Sequence, residues 1–191
     1  YTRSTGKIAM CIAQNGPGIT GLVTPIKTAY WNHTPMLLVT PQAANKTMGQ
    51  GGFQEVEQMN LFKDMVCYQE EVRDPSRVAE VLNRVISKAI KGSAPAQLNI
   101  PRDFWTQVVD IELPPIIKFE RPSGGLEAIK QAADLLSNAK FPVILSGAGV
   151  ILADAIDDCK KLAEKLSAPV ACGYQHNDSF PGNHPLAVGP L

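Results

Sequence analysis

The sequence predicts an α/β protein: a doubly wound parallel sheet followed by a second, smaller α/β unit. Three observations carry this. Apolar strand-like runs alternate with segments of helical apolar period along the whole chain. The run Met36-Leu37-Leu38-Val39-Thr40 is apolar with no in/out alternation, the pattern of a parallel strand covered on both faces. A break rich in Pro and Gly, residues 113–125, separates two such sets of elements.

The elements follow in order. Ile8–Ala13 reads as a strand and Ile19–Asn32 as a helix. Met36–Thr40 is the buried strand, stopped by Pro41, and Glu55–Phe62 reads as a short helix before a strand over Met65–Gln69. The clearest helix comes next. Asp74 suits an N-cap, Pro75 a first helical position, and Val78, Val81, Leu82, Val85, Ile86 and Ala89 make one face apolar. Gly92 stands where a C′ residue belongs, and Ala96–Ile100 is a strand stopped by Pro101. Residues 1–112 therefore form a first domain, 113–125 a linker and 126–191 a second domain. In the latter, Leu126, Ile129, Ala133 and Leu136 mark a helix, Val143–Leu145 a strand, Ala155 to Leu166 a helix and Pro169–Cys172 a strand. From Gly173 onward the sequence reads as loop.

Composition narrows the function classes. The 191 residues are 45% hydrophobic and 19% charged, with 18 basic and 18 acidic side chains. That balance offers no cationic surface for nucleic acid or anionic lipid, and no apolar stretch is long enough to cross a bilayer. Cys11, Cys67, Cys159 and Cys172 are far apart and form no Cys-x-x-Cys pair, so they read as buried, reduced thiols in a cytoplasmic protein rather than a metal site. Both ends stop in structured-looking sequence, which reads as an internal piece of a longer protein.

Two motifs carry chemistry. The run Gln14-Asn15-Gly16-Pro17-Gly18-Ile19-Thr20 links a strand to a helix. Taken alone, it is a tight connection that lets backbone come close to a neighbour. The run Asn45-Lys46-Thr47-Met48-Gly49-Gln50-Gly51-Gly52-Phe53-Gln54-Glu55 lies past the carboxyl end of the buried strand, where open α/β sheets bind ligands. Its glycines free backbone amides, Lys46 adds positive charge, Gln50 and Gln54 add neutral hydrogen-bonding groups and Phe53 an apolar wall. The anion reading of this loop places Lys46 on a substrate anion. Glu55 and Glu57 suit a helix start. Gly147-Ala148-Gly149 follows a strand, but Leu152 stands where a dinucleotide fingerprint needs a small residue, so it reads as a tight turn. His33, His176 and His184 read as helix-end or hydrogen-bonding residues.

The order of the Gly-Pro-Gly turn, Phe53-Gln54-Glu55 in its glycine loop, and Pro95-Ala96-Gln97-Leu98-Asn99-Ile100-Pro101-Arg102-Asp103 resembles the pyrimidine-binding domain of thiamine-diphosphate enzymes of the acetohydroxyacid synthase and pyruvate oxidase type. Pro142-Val143-Ile144-Leu145 and Phe180-Pro181-Gly182-Asn183-His184-Pro185-Leu186 resemble the family's Rossmann-like central domain. Tyr30-Trp31-Asn32-His33-Thr34-Pro35-Met36 and Gly49–Gln58 are most similar to the family's acetyl-transferring branch of sulfonate (taurine) degradation.

The resemblance implies thiamine diphosphate and Mg2+ as cofactors. It implies conversion of sulfoacetaldehyde and phosphate to acetyl phosphate and sulfite, in a homo-oligomer whose active site forms between subunits. It implies Asn15, Gly16, Pro17 and Gly18 beside the cofactor, and Phe53 and Gln54 as the catalytic residues lining the substrate side. The glutamate that activates the cofactor is expected before Tyr1, and the metal and diphosphate anchors after Leu191, so this piece alone is expected to be inactive. Two other readings stay open: a pyruvate carboligase of the acetolactate synthase type, and a non-catalytic nucleotide- or flavin-binding module suggested by Ser146-Gly147-Ala148-Gly149.

Overall fold

The computed structural model describes residues 1–115, 119 and 123–191. They form two compact units, Tyr1–Lys118 and Phe119–Leu191. The linker expected over 113–125 falls partly outside the described residues.

The first unit is a four-stranded, wholly parallel sheet. Its strands are β1 (Ala9–Ile12), β2 (Met36–Gln42), β3 (Tyr68–Glu71) and β4 (Pro95–Pro101), in spatial order β1-β2-β4-β3. Its helices are α1 (Thr2–Thr5), α2 (Pro17–Thr20), α3 (Val23–Trp31), α4 (Gln58–Phe62) and α5 (Val78–Gly92). On one face Val81, Val85 and Ala89 of α5 pack on Leu37, Val39, Ala96 and Leu98. On the other, Ile19, Ile26 and Phe62 enclose Leu38. Neighbouring residues of β2 thus point into two separate cores, which is why its sequence shows no alternation. The expected doubly wound parallel architecture is present.

Several boundaries differ from expectation, each for a local reason. The helix expected over Ile19–Asn32 is two helices. Pro25 has no N–H to donate to Gly21, and its ring crowds the carbonyl four residues back. Pro41 does not stop β2 but pairs with Ile100. It lies past the last β1 partner, Ile12 opposite Val39, so one flank there carries no ladder to break. Asp74 does cap, accepting the Ser76 N–H at 2.9 Å, but it caps a 3-10 turn at Pro75–Arg77 that leads into α5. Gly92 is the last residue of α5, and Ser93 takes the left-handed conformation (φ 46°) instead.

A side chain at 92 would press on a neighbour. A Cβ there would sit 3.0 Å from Cys67 Sγ. Gly92→Ala should therefore be more favourable in a Cys67→Ala background than alone, by about 1 kcal/mol in a double-mutant cycle of unfolding midpoints. Zero coupling would contradict the contact.

The second unit holds α6 (Leu126–Ser137), β5 (Ile144–Ser146), α7 (Ala148–Leu152), α8 (Ile156–Leu166), β6 (Val170–Cys172) and β7 (Ala187–Pro190), with a parallel sheet in order β5-β6-β7. Its core gathers Ala163, Val170, Cys172 and Phe180. Strand β7 lies in the tail expected to be loop. Gly189 (φ 99°) and Pro190 are poor strand formers, and a register shift at Val170/Ala171 accommodates them. His184 is a hydrogen-bonding residue: Nδ1 accepts the Leu186 N–H at 3.2 Å, and Nε2 lies 3.1 Å from Glu164. All four cysteines are free, but the expectation that they are buried holds only for Cys172. Cys11 and Cys159 are half-buried and Cys67 is exposed.

Candidate functional site

The two motifs meet. Asn15 Nδ2 donates to the Gln54 carbonyl at 3.1 Å, and Gln14 Nε2 donates to Gln54 Oε1 at 2.8 Å. Between them Gly16, buried, has φ 69° and ψ −113°, the dihedrals of the first central position of a type II′ turn, which is open to glycine and little else. A Cβ on Gly16 would stand 2.7 Å from the Gln54 carbonyl oxygen. The glycine is thus required twice, by its own backbone and by the approach of the second loop. Pro17 begins α2 with its preset φ, and Gly18 leaves room for the Cβ atoms of Ala13 and Gln14, each 3.3 Å from where its own would be.

The other side of the contact is held just as firmly. Gln54 is a non-glycine residue at φ 61°, a strained position that persists because its neighbours determine it. Downstream, side-chain amides tie the segment that follows to the sheet. Gln42 donates to the Val56 carbonyl (3.3 Å), Gln58 to Pro41 (2.6 Å) and Gln69 to Met59 (2.6 Å). Gln69 also belongs to a polar ladder that reaches into the core. Thr40 Oγ1 donates to Asn99 Oδ1 at 2.6 Å and accepts from Gln97 Nε2 at 2.9 Å. Gln97 in turn pairs with Gln69, and Asn99 with Glu71. The chain of support runs from sheet to α4, to the glycine loop, to Gln54, to the Gly-Pro-Gly turn.

The glycine loop is organised differently from the expectation. Glu55 is not at a helix start, since α4 begins at Gln58. Its carboxylate accepts the Gly49 N–H at 2.6 Å and the Gly52 N–H at 3.0 Å, closing the loop on itself. Two of the amides read as available to an anion are therefore occupied by the protein's own carboxylate. Lys46 is exposed with no partner for its ammonium among the described residues, so it is the loop's remaining cationic feature. Phe53 is 82% exposed, an apolar surface beside Gln54.

Gln14 carries no functional signal in the sequence. Its position beside Asn15 in a strand-to-helix turn carries no signal until the fold brings Gln54 to it. A concavity of ≈ 670 Å³ on the β3 side is lined by Gln42, Met48, Glu57, Gln69, Glu71 and Arg73. Gly147-Ala148-Gly149 opens only the five-residue helix α7, and a Cβ at Gly147 or Gly149 would meet nothing within 4 Å. Among the described residues no group of three or more His, Cys, Asp or Glu side chains could hold a metal ion, and no helix is long and apolar enough to cross a membrane.

The turn and loop bring three kinds of surface to one place. They offer a rigid backbone wall without side chains at Gly16 and Gly18, an exposed aromatic at Phe53, and an amide at Gln54.

Comparison with known proteins identifies the family. Residues 1–61 match the thiamine pyrophosphate enzyme N-terminal TPP binding domain, and residues 129–191 the thiamine pyrophosphate enzyme central domain. A sulfoacetaldehyde acetyltransferase of Roseovarius nubinhibens is 76% identical over all 191 residues, and a probable one of Rhizobium meliloti 71%. A probable acetolactate synthase large subunit of Methanocaldococcus jannaschii is 33% identical across 99% of the chain and 33% of its own length. The chain spans about a third (32%) of the length of the two acetyltransferases. A thiamine diphosphate-dependent 4-hydroxybenzoylformate decarboxylase of Rhodococcus jostii shares the fold, with a TM-score of 0.88 at 24% identity over all of this chain and 37% of that one. With both domain signatures in order and high identity from end to end, the chain belongs to the thiamine pyrophosphate enzyme family.

Proposed function

We propose that this chain is part of a thiamine-diphosphate-dependent sulfoacetaldehyde acetyltransferase. The reaction converts sulfoacetaldehyde and phosphate to acetyl phosphate and sulfite. The carbon–sulfur bond breaks with its electron pair leaving as sulfite, while the aldehyde carbon is oxidised to the acyl level and its neighbour reduced to methyl. The observation that carries the reading is the 76% identity to an acetyltransferase over the full 191 residues. The alternative, a pyruvate carboligase, rests on 33% identity to a probable acetolactate synthase large subunit.

When bound, thiamine diphosphate supplies the nucleophilic carbon, and the protein supplies orientation and electrostatics. Asn15, Gly16, Pro17 and Gly18 form the wall beside the cofactor's ring. Phe53 excludes water from the substrate side, and Gln54 offers hydrogen bonds to a substrate oxygen. Lys46 attracts the sulfonate or phosphate. Mg2+ and the diphosphate are held by residues outside this chain. A homo-oligomer would cover Phe53, and the four free cysteines suit a reducing, cytoplasmic setting.

The test uses the full-length protein with thiamine diphosphate and Mg2+. It should release one sulfite and one acetyl phosphate per sulfoacetaldehyde consumed, and no acetolactate from pyruvate. Acetolactate formation without sulfite release would give the reading to the carboligase, and a flavin absorbance band without turnover to the binding module. Lys46→Ala should raise the apparent KM for sulfoacetaldehyde or phosphate about tenfold, the loss of one charge-assisted contact. Unchanged values for both would remove Lys46 from the site.

A further inference from the structure

We infer that Gln14 is a positioning residue that orients the side-chain amide of Gln54, so that Gln54 meets the substrate as a hydrogen-bond donor. This inference rests on the proposed role of Gln54 in the substrate site. A primary amide can turn either its oxygen or its NH2 group to a ligand, and the two present opposite chemistry. Here a neighbour from 40 residues away engages one of the two groups. Gln14 Nε2 donates to Gln54 Oε1 at 2.8 Å. The Gln54 oxygen is thereby engaged, while its NH2 group has no partner among the described residues.

The backbone beneath is fixed by separate contacts. Asn15 holds the Gln54 carbonyl at 3.1 Å, and the Gly16 turn lies against it. Backbone and side chain of Gln54 are thus held by adjacent residues of one turn, Asn15 setting place and Gln14 setting polarity. An amide presented by its NH2 suits an acceptor with no hydrogen to give: a sulfonate, phosphate or aldehyde oxygen. All the oxygens of the proposed substrates at neutral pH are of this kind, apart from a protonated phosphate hydroxyl. A glutamine at position 14 is suited to the task because its own NH2 can reach Gln54 without bringing charge near an anionic substrate.

The test is a set of variants in the full-length holoenzyme: Gln14→Met, Gln14→Glu, Gln54→Met and the double Gln14→Met/Gln54→Met. Gln14→Met and Gln54→Met should each lower kcat/KM for sulfoacetaldehyde about tenfold. The double variant should be no worse than Gln54→Met, because Gln14 acts through Gln54. Gln14→Glu should be more damaging than Gln14→Met, since a carboxylate accepts hydrogen bonds and would turn the Gln54 NH2 toward itself. Cofactor affinity and unfolding midpoint should stay within twofold and about a degree of wild type, which a merely structural role would not produce.

A Gln14→Met enzyme with unchanged kcat/KM beside an impaired Gln54→Met enzyme would overturn the orienting role and leave that of Gln54 standing. So would multiplicative losses in the double variant, or a Gln14→Glu enzyme as active as wild type. An unimpaired Gln54→Met enzyme would remove Gln54 from the substrate site, and this inference with it.

Discussion

Gly16→Ala should disable the site more than any other single substitution in the turn. At φ 69° and ψ −113° an alanine is strained by about 1–3 kcal/mol. Its Cβ would also fall 2.7 Å from the Gln54 carbonyl oxygen, a backbone atom that cannot rotate away. Either the turn or the glycine loop must move, and both belong to the proposed site. A displacement of about 1 Å at a reacting centre costs on the order of 100-fold in rate, and that loss of kcat/KM is expected in the full-length enzyme. Gly51→Ala is the control. It too has positive φ (70°), but nothing lies within 4 Å of its Cβ, so it should pay only the backbone strain and keep most activity. Equal losses in the two variants would show that conformation alone, and not the meeting of turn and loop, sets the requirement for glycine.

Thr40→Val should have the largest effect on stability relative to the atoms changed. The two side chains are nearly isosteric, so no cavity forms. What disappears is the hydroxyl that donates to Asn99 Oδ1 and accepts from Gln97 Nε2, all three residues being fully buried. Leaving two buried polar groups short of a partner costs about 2–6 kcal/mol, at about 1–3 kcal/mol each. Thr40→Ser keeps the hydroxyl and should lose about 1 kcal/mol, for one methyl group. Denaturant midpoints of the two variants, compared at unchanged slope, decide the matter. Similar midpoints would mean that the ladder contributes shape rather than hydrogen bonding. Because the ladder leads through Gln97 and Gln69 to α4, Thr40→Val should also loosen the loop that carries Gln54, visible as faster amide exchange over residues 49–56.

Much of the fold was legible because it rests on local chemistry. The unalternating run at Met36–Thr40 announced a strand between two cores, and the apolar stripe from Val78 to Ala89 announced the helix that covers one of them. Helix ends were less legible where tertiary contacts chose them. Gly92 has the residue type of a terminator but lies against Cys67 inside the helix, and Ser93 ends the helix in its place. Pro25, inside an apolar segment of helical period, divides α2 from α3. Strand β7 was hidden by Gly189 and Pro190, residues whose poor strand character is overcome by pairing with β6. The polar ladder was written in Gln97 and Asn99 of an otherwise apolar strand. Such residues in a buried position require partners, but nothing local says that Thr40, Gln69 and Glu71 provide them.

The site shows the same division. Its two motifs stood out by residue type, glycines and a proline after a strand, then an aromatic and an amide beyond the next. Their contact could not be read, because it depends on the packing of β1 beside β2. The same is true of Glu55, whose carboxylate was read as belonging to a helix and instead closes the loop around Gly49 and Gly52.

The most direct test of the central claim, that the Gly-Pro-Gly turn and the Phe53–Gln54 loop together form one wall of a thiamine diphosphate site, is a crystal structure of the full-length protein with the cofactor bound. The account predicts the aminopyrimidine ring in van der Waals contact with the backbone of residues 15–18, with Gln54 on the substrate side of the same cleft. A ring bound elsewhere, with Gly16 packed only against Gln54, would contradict it.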